Sequence, residues 1–436
     1  MLEWRGSTIE DRLIASRFRP SGFDYMRFIL ATSIIAFHAP GVTQDSLGNI
    51  LGALAGIVFK FLLPMFFSLS GFLVAGSLER NASIIGFYTL RALRIVPALA
   101  VEITLSALIL GPILTTVPLT EYFSAPEFRS YFLNIVGYMH YRLPGVFHSN
   151  PFPDIINQQL WTVPSELNCY LALGALAVAS LVRRRIFLVL LIIAGQVIWA
   201  NFAWSGPSLI RAAIAPGGTL ILAFICGVAF YRYKTFIRMS WPLFFGITAV
   251  TLFAATLPRS EFFLSIPVCY MTIFLGLLNP YRHKFIASGD YSYGLFLYGY
   301  PIQQVMASTG SWAHHWWLNL VLAYPVALLI AIISWHKIEK PALGLRTAIP
   351  AMERAVREIF KTEPLLSHTQ TVHVHSVQLA LRLGGTVCAG ATVLLLINAS
   401  DILGVIAATV TFAAFAGANL TVRLTAFGGA AGAEKT

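Results

Sequence analysis

Arg27 and His38 stand eleven positions apart in an otherwise apolar stretch that runs to Pro40. A helix turns about 100° and rises about 1.5 Å per residue, so both side chains fall on nearly one face, about 16 Å apart. A cation and an imidazole in an apolar helix are costly and mark a candidate site. A neutral imidazole can take a proton from a hydroxyl, carry an acyl group transiently, or simply hydrogen-bond between helices. Glu166 is the second such group. It follows Trp161 by five residues in another apolar run. With Trp161 at the membrane interface, Glu166 comes near the depth of His38 and is expected to partner it. The structural alternative is a pair with Asn168 or another helix. Arg91 and Arg94, at i and i+3, share one helix face. Arginines at the inner end of a span satisfy topology, but guanidinium forks also match phosphate oxygens. With Arg27 at the same level, three cations can converge on a multiply phosphorylated ligand. Ser70 and Gly71 sit mid-run, where small residues favour close helix packing. The sharper reading is a passage for a thin ligand.

The elements that must position these groups are membrane helices. The chain of 436 residues is 57% hydrophobic and only 11% charged, against about 25% charged in soluble domains. The expected fold is all-α, a polytopic membrane helical bundle with a ten-span core plus two C-terminal spans. Spans of about 20 residues each are expected at 24–41, 54–78, 95–117, 160–182, 186–204, 211–231, 241–257, 261–278, 291–308, 316–336, 378–397 and 402–422. Most of the 30 Lys and Arg then fall in inner segments if both termini are cytoplasmic. This explains the net charge of +11 without nucleic acid, for which no basic arm is present. The parts are an N-terminal arm at 1–23, the core at 24–345, a cytoplasmic connection at 346–377, the two further spans at 378–422 and a tail at 423–436. The connection carries a surface helix with Met352, Val356, Ile359 and Phe360 on one side. An outer connection at about 118–159 can cap a site, and the short apolar stretch Tyr131–Tyr138 within it is a re-entrant candidate. Cys169, Cys226, Cys269 and Cys388 lie in apolar runs without metal or disulfide spacing. His373 and His375 lack further ligands, so no metal is expected.

In order along the chain, these segments resemble acyltransferase family 3, integral membrane acyltransferases. Arg27 and His38 match the family's Arg and His of the first span. Phe66, Phe67, Ser70, Gly71 and Phe72 match its FFxxSGF, and Arg91 and Arg94 its RxxR. Trp161, Thr162, Val163 and Glu166 match its W-S/T-L/V-x-x-E segment. Ser292, Tyr293, Phe296 and Leu297 stand close to its SYxxYL, and Glu339 and Pro341 to its closing ExP. The resemblance covers about residues 20–345. A histidine that members often carry after SYxxYL is Gly299 here.

The resemblance implies transfer of an acyl group, usually acetyl, from cytoplasmic acyl-CoA to a hydroxyl of a sugar or another envelope molecule. Arg27, Arg91 and Arg94 would hold the CoA phosphates, and Ser70 and Gly71 would line the path of the pantetheine arm. His38 would be the central catalytic group, with Glu166 orienting it or touching the acceptor. Trp161 and Tyr170 would bind a carbohydrate or glycolipid acceptor. The expected location is a bacterial inner membrane, with homo-oligomerisation left open. A proton-coupled glycan exporter is the rival reading. It lacks the internal repeat that transporter folds commonly show.

Overall fold

A backbone in lipid has no water to bond, so long apolar runs fold as helices that satisfy themselves. The computed structural model describes residues 6–80, 83–205, 208–257 and 260–359. The expected spans at 378–397 and 402–422, the tail, and the connection beyond 359 lie outside the described residues. The helices are α1 (Ile9–Ala15), α2 (Gly22–Thr43), α3 (Ser46–Arg80), α4 (Ile84–Leu105), α5 (Thr162–Val178), α6 (Arg185–Ser205), α7 (Ser208–Arg232), α8 (Trp241–Ala255), α9 (Ser265–Gly276), α10 (Ser292–Ala307), α11 (Trp316–Ser334) and α12 (Ile349–Ile359). α2 to α11 fall on the ten segments expected of the core. Among the described residues, four stretches are long and apolar enough to cross a membrane by themselves: Gly22–Thr43, Lys60–Arg80, Ile84–Leu114 and Trp316–Arg354. The protein is therefore an all-α integral membrane protein. α6 turns Ile186, Leu190, Ile193 and Val197 outward at three- and four-residue spacing, an apolar stripe suited to lipid rather than water.

α4 begins earlier than the sequence suggests. The Ser83 hydroxyl accepts from the Gly86 amide at 3.2 Å, which satisfies an otherwise unpaired helix-start donor. Arg91 and Arg94 consequently lie two to three turns inside the helix rather than at its end. α4 then runs through a π-helical turn, Ser106–Leu110, to Leu114.

The N-terminal arm is docked. Thr8 and Asp11 form a capping box at the start of α1. A two-residue strand, β1 (Ser7–Thr8), pairs antiparallel with β2 (Arg238–Met239). Arg12 donates to the Met239 carbonyl at 3.0 Å and lies over the Phe274 ring.

α3 and α7 cross closely because each offers a glycine to the other's backbone. A Cβ at Gly71 would strike the Phe224 carbonyl, and one at Gly227 the Ser68 carbonyl. The Ser68 hydroxyl donates to the Ala223 carbonyl at 3.2 Å across the crossing. Small residues set such contacts. Gly71 therefore faces α7, and its smallness serves helix packing there. Gly71→Val is expected to cost about 1–3 kcal/mol of overpacking and to lower the melting temperature. Ser70→Ala, one residue away, should leave it nearly unchanged.

The connection between α4 and α5 is folded onto the helix ends. Thr115 and Val146 form a β-bridge, and Asn134 bonds the His140 carbonyl and amide at 2.8 and 2.7 Å. Asn150 donates to Gln304 Oε1 at 2.7 Å, and Gln304 donates to the Ile155 carbonyl at 2.9 Å, which pins the connection to α10. Glu102, buried in α4, accepts from Ser106 at 2.8 Å and Asn157 at 2.9 Å. The Tyr131–Tyr138 stretch is a helix end followed by a 3₁₀ turn. Tyr131 is fully buried and Val136 is 73% exposed.

Candidate active site

Two cavities meet inside the bundle at a row of charged side chains. The larger, about 520 Å³, is a vestibule lined by Asp24, Arg27, Arg94, Arg282, Asp290 and Lys340 among others. The smaller, about 190 Å³, lies between the helices. Arg91, Ser70, Glu166 and Tyr170 form its polar wall, and Ile34, Phe66 and Phe296 part of its apolar wall. Arg27, Arg94, Asp290 and Ser292 line both.

Asp290 sits in the turn before α10. Its Oδ1 accepts from the Ser292 hydroxyl at 2.5 Å. Its Oδ2 accepts from Arg27 at 3.0 Å and from Arg94 at 2.7 Å. Burial alone would raise this carboxyl. Arg94, Arg27 and the Ser292 hydrogen bonds outweigh it and hold Asp290 well below the usual carboxylate range. Arg94 also reaches Glu339 at 3.3 Å, a carboxylate only 1% exposed. Its guanidinium lies 5.8 Å from the Tyr293 ring and 5.6 Å from that of Trp335. The Tyr293 hydroxyl donates to the Ile95 carbonyl at 3.0 Å, which fixes this ring against α4.

Arg91 is held differently. It donates to Ser77 at 3.2 Å and lies over the rings of Phe87 and Tyr170. No carboxylate among the described residues forms a salt bridge with it. Its buried Nε has no partner there either. The site thus contains two arginines tied to carboxylates and a third held only by a hydroxyl and aromatic faces.

Glu166 accepts from the Tyr170 hydroxyl at 2.5 Å, and that hydroxyl also meets Ser70 Oγ at 3.3 Å. This chain of three lines the inner cavity. The expected Glu166–His38 contact is not formed, because Tyr170, one turn along α5, gives Glu166 a nearer donor.

His38 lies one turn beyond the inner cavity. Ile34, four residues before it on α2, belongs to the cavity wall, and Phe296 does the same on α10. Four residues further on each helix, His38 meets Tyr300, with ring centroids 5.1 Å apart and edge to face. No side chain among the described residues hydrogen-bonds the His38 ring. Tyr300 donates to Gln158 Oε1 at 3.2 Å, and Gln158 is exposed in the connection between α4 and α5. Tyr300 therefore links His38 to that connection, on the side of the bundle away from the cavity. Trp161, in the 3₁₀ turn Gln158–Trp161, packs against the core and lines neither cavity. Tyr170 lines the inner cavity beside the arginines. Gly299 packs against Ile35, so this position is used for α2–α10 contact. No metal-ligand cluster occurs among the described residues.

Sequence reasoning missed Asp290, the pivot of the charged row. Its signal was an aspartate two residues before Ser292 at a helix start, a pattern that ordinarily reads as local capping.

The helical bundle thus encloses two adjoining cavities around a row of arginines and carboxylates, within an integral membrane protein. The acyltransferase domain of acyltransferase family 3 matches residues 21–336, more than two thirds of the chain. The chain belongs to that family and is an O-acyltransferase, an enzyme that transfers acyl groups. An O-acetyl transferase of Shigella phage Sf6 is 27% identical over 333 residues, 73% of this chain and 94% of that protein. Nodulation protein 10 of Rhizobium leguminosarum bv. viciae is 28% identical over 388 residues, 77% of this chain and 96% of the relative. No solved structure matches the chain significantly.

Proposed function

We propose that this enzyme moves an acetyl group from cytoplasmic acetyl-CoA to a hydroxyl of a polysaccharide or glycolipid of the bacterial envelope, in the inner membrane. The observation that carries the reading is the convergence of Arg27, Arg91 and Arg94 on two adjoining cavities, the inner of which ends at Ile34, one helical turn short of His38. Guanidinium groups are matched to phosphate oxygens. The arginines hold the nucleotide phosphates, and the acyl-bearing arm runs past Ser70 and Tyr170. Arg27 and His38 are about 16 Å apart along α2, a distance an extended arm can span. The acceptor approaches from the opposite face, past Gln158 and Tyr300. His38 takes the proton of its hydroxyl as general base. The oxygen attacks the thioester carbonyl, the carbon–sulfur bond breaks, and the CoA thiolate leaves and is protonated. Glu166 anchors Tyr170 at the cavity wall. The name of the Shigella phage relative supports acetyl as the group and oxygen as the acceptor atom.

Acetyl esters on surface glycans test this in cells with and without the protein. Esters should vanish on deletion while the glycan itself still reaches the surface. Loss of surface glycan would favour an exporter and overturn the reading.

A further inference from the structure

Asp290 stands on the boundary between the two cavities, and the transfer chemistry does not use it. One of its oxygens joins Arg27 of α2 to Arg94 of α4 at 3.0 and 2.7 Å. The same three residues line both cavities, so the route from vestibule to inner cavity runs past this bridge. A carboxylate oxygen shared by two guanidiniums occupies the position that a phosphate oxygen would take. Ser292 holds the other oxygen and keeps the carboxylate aimed across the passage. Arg94 has a second carboxylate partner in Glu339, so it stays anchored when Asp290 is released.

On the donor reading above, we propose that Asp290 is a built-in substitute for the donor's phosphates and selects donors that carry them. Without donor it ties α2 to α4 and closes the passage. The donor's diphosphate, with more negative charge, displaces it from the guanidiniums, and the passage opens for the acyl-bearing arm. A thioester without phosphates cannot exchange for Asp290 and is excluded. Asp290 is thus a positioning and specificity residue that acts through Arg27 and Arg94.

The experiment compares acetyl-CoA with acetyl-pantetheine, which bears the same thioester but no phosphate, on the full-length protein in vesicles. Asp290→Asn is expected to raise kcat/KM for acetyl-pantetheine about tenfold, the scale of one charge-assisted hydrogen bond. It should lower KM for acetyl-CoA, and Asp290→Glu should behave as the parent. An equal loss with both donors, with KM for acetyl-CoA raised, would mean that Asp290 only orients the arginines, and the proposal falls.

A second measurement covers poor folding of the variant. A Ser70→Cys reporter in the otherwise unchanged chain should react faster with a small thiol reagent when adenosine 3′-phosphate 5′-diphosphate, the phosphate-bearing half of the donor without its arm, is added. Unchanged or slower labelling overturns the latch. If acetyl-CoA gives no thermal shift with the parent protein, the donor reading itself has failed. A shift with no effect at Asp290 sinks the latch alone.

Discussion

Replacing His38 with alanine is expected to reduce acetyl transfer by about 10²–10⁴-fold, the range for one general acid–base group, while acetyl-CoA binding stays intact. The two effects separate because the groups lie in different layers. The proposed donor contacts are Arg27, Arg91 and Arg94 around the two cavities, whereas His38 lies one turn beyond, against Tyr300. No hydrogen bond among the described residues depends on the imidazole, so its loss leaves no buried group unpaired and α2 keeps its packing through Ile34 and Ile35. Ester formation and the thermal shift given by acetyl-CoA measure the two effects on one preparation. Transfer retained above half, or loss of the thermal shift, would remove His38 from the chemistry. Peptide mapping of the parent protein after incubation with acetyl-CoA alone separates two routes. A mass shift on the His38 peptide indicates an acyl-histidine intermediate. None at single-turnover times indicates direct attack by the acceptor.

The parts of the site that lie along one helix were legible in the sequence. Arg27 and His38 share a face of α2 because helical period alone decides it. What failed needed the rotation of one helix against another. Depth in the membrane gives the height of Glu166 but not its direction, and Tyr170, one turn away on the same helix, fixes that direction toward Ser70. Ser70 and Gly71 are adjacent, so they point about 100° apart. One therefore faces the cavity while the other meets α7. Gly299 illustrates the same limit: its close contact with Ile35 depends on how α2 and α10 meet. Asp290 was hidden for another reason. Its partners are 263 and 196 positions away, and its local context is an ordinary helix start. The ten helices of the core were visible because apolar run length survives any packing. Their ends were not, since a single cap such as Ser83 moved the start of α4 by three turns.

Arg94→Ala should be far more damaging to stability than Arg91→Ala, although the two arginines are one helical turn apart on α4. Arg94 neutralises Glu339, which is 1% exposed. Removing one partner of a buried pair leaves a buried charge uncompensated, at about 3–5 kcal/mol. The variant is expected to melt at a markedly lower temperature or to fail to accumulate. Arg91 has no such dependant: its hydrogen bond goes to Ser77 and its faces rest on Phe87 and Tyr170. Its removal should shift stability by less than about 1 kcal/mol, as for sites away from buried networks. Donor affinity should nevertheless fall about tenfold or more, because a guanidinium without a carboxylate partner is the one most available to a phosphate. Adding Glu339→Gln to Arg94→Ala separates the two roles, since it removes the stranded charge without restoring the cation. Melting temperature should then recover in part while donor affinity stays low, and the double-mutant cycle gives the coupling directly. If Arg94→Ala proves as stable as Arg91→Ala, the Arg94–Glu339 pair does not hold α4 to the π-helical turn Trp335–Glu339 that continues α11. Arg94 would then owe its order to Asp290 and to the aromatic rings beside it.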